Sequence, residues 1–256
     1  MRDTLRKLQG VKELLNMLKL ELLKLKKDTM FFVGTIISIM VPVFLVIKDK
    51  FLSVPPNEIM EWTMSCFAAI LLILSVFSGF IITNLVQKEY QSGTIKNILS
   101  SAVSRVAFIC SKLLVWFLWF AITLIFIVII TILGAKLIYP HQFNLNYIKL
   151  IIAIFSKLGL LSFVSFIPLL WITILQRKLF YPSILLAIGL TGILLGGINI
   201  SSDFLLPASF VPWTAVPLVA VHQLKSPYFG IGLASILITG TLGLILSCYS
   251  FYIQDQ

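Results

Sequence analysis

Of 256 residues, 59% are hydrophobic and 12% are charged, and the mean hydropathy is +1.04. Soluble domains carry about 25% charged and 45–50% apolar residues, so a water-soluble fold is excluded. The net charge of +10 does not indicate nucleic acid, because the basic residues fall where cytoplasmic segments of membrane proteins collect them.

Helices and closed barrels are the two ways to span a bilayer, since the backbone must satisfy its own hydrogen bonds there. The apolar runs here are long and unbroken rather than alternating, so helices are expected. Cys66, Cys110 and Cys248 lie in or beside such runs without a CxxC pair, and read as small buried apolar residues. The first apolar run begins near Met30 after a long charged segment, which does not fit a cleaved signal peptide.

In residues 1–29, Val11, Leu15, Leu18, Leu22 and Leu25 form one apolar stripe, while Lys12, Lys19 and Lys26 repeat on another part of the helix. This pattern predicts an amphipathic interfacial helix; a helix packed on a neighbouring element is the alternative. Residues 30–256 then form a six-span domain. The spans are expected at Met30–Ile47 (with Pro42 inside), within Trp62–Gln87, between Lys112 and Lys136, at Ile148–Leu175, within Leu179–Ser202, and at Gly230–Ile253. Each reaches or approaches the ~20 residues that cross ~30 Å of hydrocarbon.

Phe204–Leu224 is long and apolar enough to span. Pro207, Pro212 and Pro217 recur in it, however, and each removes a helix donor and clashes one turn back. A broken, re-entrant outer segment over 203–228 fits better, with Trp213 and Tyr228 at headgroup level. Six spans with the N-terminus inside put Arg2, Arg6, Lys7, Lys12, Lys19, Lys24, Lys26, Lys27, Lys88, Lys96, Arg105, Lys112, Arg177 and Lys178 on the inner side. The outer side then holds Lys48, Lys50, Lys136, Lys149 and Lys225. That bias places both termini in the cytoplasm of a multi-pass cell-membrane protein.

Lys157 falls in the outer third of the expected fourth span. A central Lys costs about 2.5–3.5 kcal/mol and each large aliphatic residue or Phe offsets ~0.3–0.6, so the span survives. Lys157 either snorkels to the interface or faces a substrate path or subunit contact.

The sequence has no G-x-x-x-x-G-K-[ST] and no H-E-x-x-H, and its two histidines, His141 and His222, lie in expected outer loops. No carboxylate lies deep in any span, which argues against coupling through intramembrane acids. Catalytic residues, metal ligands and a resident cofactor are therefore not expected.

One soluble segment carries information, the inner loop 87–112. Ile95, Ile98, Leu99 and Ala102 follow helical spacing, and Gly93 ahead of them permits a sharp chain reversal. Such a helix can lie on lipid or dock in a groove of a soluble partner. Taken singly, Glu89 reads equally as a solvated loop charge, Gly93 and Thr94 as turn or cap residues, and Arg105 as an inside anchor.

The pattern Glu89…Gly93-Thr94…Leu99-Ser100…Val103-Ser104-Arg105…Lys112 resembles the loop after the second span in type-2 ATP-binding-cassette (ABC) export permeases. The length, the basic N-terminal helix, the six spans and the interrupted apolar stretch before the last span are similar too. Pro212-Trp213-Thr214 with Pro217 resembles the lantibiotic-immunity and peptide-antibiotic exporters, and Ala102 departs from a Pro common in the loop. The resemblance implies that the loop helix, with Ile98 and Leu99, sits in a cleft of a separate ATPase subunit, and that Glu89, Gly93, Thr94 and Arg105 shape that junction. It further implies a second permease subunit, identical or paralogous, ATP bound on the partner ATPase, and export of an amphipathic substrate. A membrane-embedded immunity or sensor protein that binds a membrane-active peptide without transport is the alternative.

Overall fold

The computed structural model describes residues 15–26, 28–52, 54–95, 104–176, 179–221 and 227–254. Among the described residues every regular element is helical and there is no strand. Among the described residues, five helices are long and apolar enough to cross a bilayer: Thr29–Leu52, Ile59–Gln91, Arg105–Ile138, Leu145–Gln176 and Tyr228–Ile253. The chain is an all-α membrane protein.

Helix α1 covers residues 15–25. Asp28 then caps α2 (Thr29–Ile47), its carboxylate accepting from the Met30 and Phe31 backbone N–H groups. Helix α3 (Ile59–Gln91) and helix α4 (Arg105–Ile138) are each about 50 Å long, well beyond the ~30 Å of hydrocarbon, so their ends overhang it. Helix α1, the end of α3 and the start of α4 share one side of the layer, the basal side; the opposite side is apical.

Helix α3 is the centre of the bundle. Of its most apolar window 61% is buried, against 17% for the first span and 22% for the last. It packs on α2 and α4, and also on α6 (Pro168–Gln176) and α7 (Tyr181–Gly196). The contact with α7 is close. A Cβ built on Gly79 would come within 2.3 Å of the Ala187 Cβ, and one turn further Thr83 and Ser183 share a 2.8 Å hydrogen bond. Small residues and cross-helix hydroxyl bonds of this kind hold helices together where lipid supplies no hydrophobic drive.

The expected fourth span is interrupted. Helix α5 (Leu145–Phe166), capped by the Asn144 side chain, ends at Ile167, and Pro168 opens α6. The break fits against the last helix, α10 (Pro227–Ile253), where a Cβ on Gly243 would lie 2.7 Å from the Pro168 nitrogen.

The expected fifth span is shorter than its apolar run suggested. Its α-helical part has 16 residues, about 24 Å, and a 3₁₀ turn at Gly197–Asn199 adds about 6 Å. It runs antiparallel along α3, from Ser183 beside Thr83 to Ile198 beside Met64 and Phe67.

The proline-rich segment is broken, as its sequence predicted. Helix α8 (Leu205–Phe210) and helix α9 (Pro212–Val221) meet at Val211, and α9 packs against α5, α7 and α10. One expectation is corrected. The Trp213 indole is not at headgroup level but inside the bundle, donating to the Ser165 carbonyl at 3.0 Å beside the break at Pro168. Ser165 lies eighteen residues, about 27 Å, along α5 from Tyr147. A carbonyl at a helix break needs a donor, and a deep indole supplies one.

Gly79→Val should overpack the α3–α7 crossing and cost about 1–3 kcal/mol. Gly189→Val, where a Cβ meets nothing within 4 Å, should stay within about 0.5 kcal/mol. Thermal unfolding of the two purified variants in one detergent checks the contrast.

Candidate functional site

The strongest polar constellation lies at the basal side, where α1, the end of α3 and the start of α4 meet. Lys112, on the second turn of α4, is only 1% exposed at its side chain. Its ammonium donates to Glu21 Oε2 at 2.6 Å and to Glu89 Oε1 at 2.8 Å. Lys24 donates to the same two acids, at 3.0 Å to Glu21 Oε1 and at 2.6 Å to Glu89 Oε1. Thr94 donates to the remaining Glu89 oxygen, Oε2. The Lys112 ammonium also stands 5.3 Å from the centre of the Phe108 ring. Two cations and two anions thus close a neutral quartet, and each carboxylate oxygen has a donor.

Burial works against the charged form of Lys24, but Glu89 and Glu21 outweigh it and hold its pKa above the ordinary lysine value. A second pair stands beside the quartet. Asp28 Oδ2 accepts from Lys88 Nζ at 2.6 Å and from Asn84 Nδ2 at 2.7 Å, while Oδ1 caps α2. Burial again opposes the charge. Lys88, Asn84 and the Phe31 N–H prevail, so Asp28 lies below the usual carboxylate range. Both groups are therefore charged at neutral pH.

The sequence places the quartet legibly only in part. Helix α3 runs straight to Gln91 and carries Glu89 on its last turn, so Glu89 belongs to the end of the span rather than to a solvated loop. Gly93 has φ +70°, the left-handed conformation that closes the helix and turns the chain. Thr94 follows at once and bonds back to Glu89. Ile98, Leu99 and Ala102 lie outside the described residues. Arg105 is not with the quartet: its guanidinium donates to the Tyr252 carbonyl and stands 5.7 Å from the Tyr252 ring centre, tying the start of α4 to the end of α10. Lys157 is exposed on the outer face of α5 and makes no ion pair among the described residues. It lies twelve residues, about 18 Å, along α5.

Glu21, Lys24, Asp28, Asn84 and the role of Lys112 were missed, whereas Glu89 and Thr94 were singled out from the sequence. One signal was available for Glu21. It stands three residues after Leu18 and four before Leu25, on the apolar stripe of an otherwise basic helix. An acid on that stripe has to meet a cation when the stripe is buried. The described part of α1 both packs and faces outward: Leu25 is buried and Met17 and Leu18 lean on the core, while Leu15, Leu20, Leu22 and Leu23 are exposed.

The described residues hold no cluster of three or more metal-ligating side chains. What the quartet can do is mechanical: it makes α1, α3 and α4 one joint at the root of the connection between α3 and α4. Removing one partner of a buried ion pair costs about 3–5 kcal/mol, because the opposite charge stays buried. Lys112→Met should therefore lower thermal stability strongly, whereas exposed Lys136→Met should change it by less than about 0.5 kcal/mol. Scanning fluorimetry of both variants measures the difference.

The chain is 27% identical over 178 residues to the bacitracin transport permease protein BCRB of Bacillus licheniformis, covering 68% of this chain and 80% of that protein. The family model for ABC-2 family transporter protein matches residues 17–194, from α1 through nearly all of α7, and so includes every member of the quartet. With well over half of its length matched, this membrane chain belongs to the ABC-2 family of transporter proteins.

Proposed function

We propose that the chain is the permease subunit of an ATP-driven exporter of an amphipathic, membrane-active substrate, and that a peptide antibiotic fits it best. ATP is hydrolysed on a separate ATPase subunit, since this chain carries no phosphate-binding loop. The ATPase engages residues 96–103, between the end of α3 and the start of α4. A second permease subunit completes the path. With α7 as a sixth crossing, both termini lie on the cytoplasmic side, where the basic residues gather.

The observation that carries this reading is the buried quartet. A push on the 96–103 segment reaches α3 through Gly93–Thr94 and Glu89, and reaches α4 through Lys112. Because Glu89 and Lys112 share bonds with Glu21 and Lys24, the two helices cannot separate without exposing buried charge. Motion is then delivered to whole helices as semi-rigid bodies. The membrane-active character of the substrate is supported by the spans, which offer few charges, and by the bacitracin named in the relative.

The test is co-expression with the ATPase encoded beside the gene, followed by co-purification, ATPase assay and bacitracin susceptibility. The expected result is a stable complex that raises resistance, with resistance lost in Glu89→Gln while the complex still assembles. No association with the ATPase, or equal protection in its absence, overturns export in favour of simple sequestration.

A further inference from the structure

The basal side holds a second feature that the coupling role does not use. A groove of about 250 Å³ runs between α1, the start of α2 and α4. Leu25, Phe31, Val115, Leu118 and Trp119 form its walls, and Lys26 stands at its rim. The lining is apolar. Trp119 directs its indole N–H away to Thr35 at 2.8 Å and meets Phe31 edge-on, so it shows the groove its ring. Such walls give water few partners and favour an apolar guest.

The rim has the opposite character. Lys26 is exposed and makes no ion pair among the described residues. The acids of the neighbourhood are already committed: Glu21 and Glu89 to Lys24 and Lys112, and Asp28 to Lys88. A cation at one end of an apolar slot, at the level where α2 enters the bilayer, is complementary to a molecule with an anionic head and a hydrocarbon tail.

We propose that this groove is a binding site for one anionic glycerophospholipid from the leaflet on the α1 side, with its phosphate on Lys26 and an acyl chain along Phe31, Leu118 and Trp119. The site is coupled to the joint by construction. Val115 lies one turn from Lys112 on α4, and Leu25 follows Lys24 on α1. A lipid in the groove therefore holds α1 in the position that closes the quartet. The proposal needs only the membrane location of the chain, so it stands or falls separately from the export reading.

The test is native mass spectrometry of the full-length protein released from detergent, after titration with palmitoyl-oleoyl phosphatidylglycerol or with the matching phosphatidylcholine. The expected result is retention of one phosphatidylglycerol and preferential loss of phosphatidylcholine. Lys26→Glu should weaken retention at least about fivefold, with Lys26→Gln as the milder variant if charge reversal impairs folding. Leu118→Trp, which fills the slot, should weaken it as well, while Ile129→Trp, on the exposed face of α4 nearer its apical end, should not. Equal retention of the two lipids overturns the proposal, as does phosphatidylglycerol retention unchanged in a folded Lys26 variant. If the wild-type protein shows a dimer mass that Leu118→Trp loses while keeping its lipid, the groove belongs to a second copy instead.

Discussion

A charge taken out of water must carry its counter-charge and hydrogen-bond partners with it, or the structure that buried it fails. Lys112 is such a charge. It is nearly inaccessible at the start of a membrane-spanning helix, and its ammonium is held by one carboxylate from α3 and another from α1. The arrangement of the basal side follows from that requirement. Helix α1 cannot drift along the membrane surface without withdrawing Glu21. Helix α3 cannot end earlier, because Glu89 must reach the same point. The chain cannot continue straight past Glu89 either, since Thr94 has to fold back onto its second oxygen through the positive φ of Gly93.

The remainder of the bundle is held by different means. Between the two ends of the bundle, beyond which Asp49 holds Lys48 and the Trp62 indole on the apical side, there are few charges, and helices are joined by close backbone approach and by hydroxyls and indoles that satisfy one another. Gly79 against Ala187, Thr83 against Ser183, Trp116 donating to Ser78 and Trp213 donating to Ser165 are of this kind. Such contacts fix packing without rigid electrostatic ties. The molecule therefore joins a charge-locked base to helices held by close, largely uncharged packing.

The parts of this design legible in the sequence are those that depend on local sums. Hydropathy over twenty residues located the long spans, because lipid solvates each residue almost independently. Three prolines in Phe204–Leu224 announced a broken segment, since each acts on its own backbone. The ionic joint was not legible, because Glu21 and Lys112 are ninety-one positions apart and nothing local to either shows the other. Trp213 was misplaced for a related reason. Its preference for headgroups is a statistical tendency, and it yields to the Ser165 carbonyl at the break between α5 and α6. The fifth span shortened because an apolar run fixes only an upper bound on a helix, and its last residues, Gly197–Asn199, wind into a 3₁₀ turn.

The central claim is that the N-terminal helix and the start of α4 are energetically one unit through buried charge. A double-mutant cycle on Glu21→Gln and Lys112→Met, read as thermal stability of the purified protein, measures that unit directly. The account predicts strong coupling: each single change costs about 3–5 kcal/mol, and the double variant costs much less than their sum. Two single costs that simply add would contradict it, because the pair would then be two independent surface charges rather than a joint.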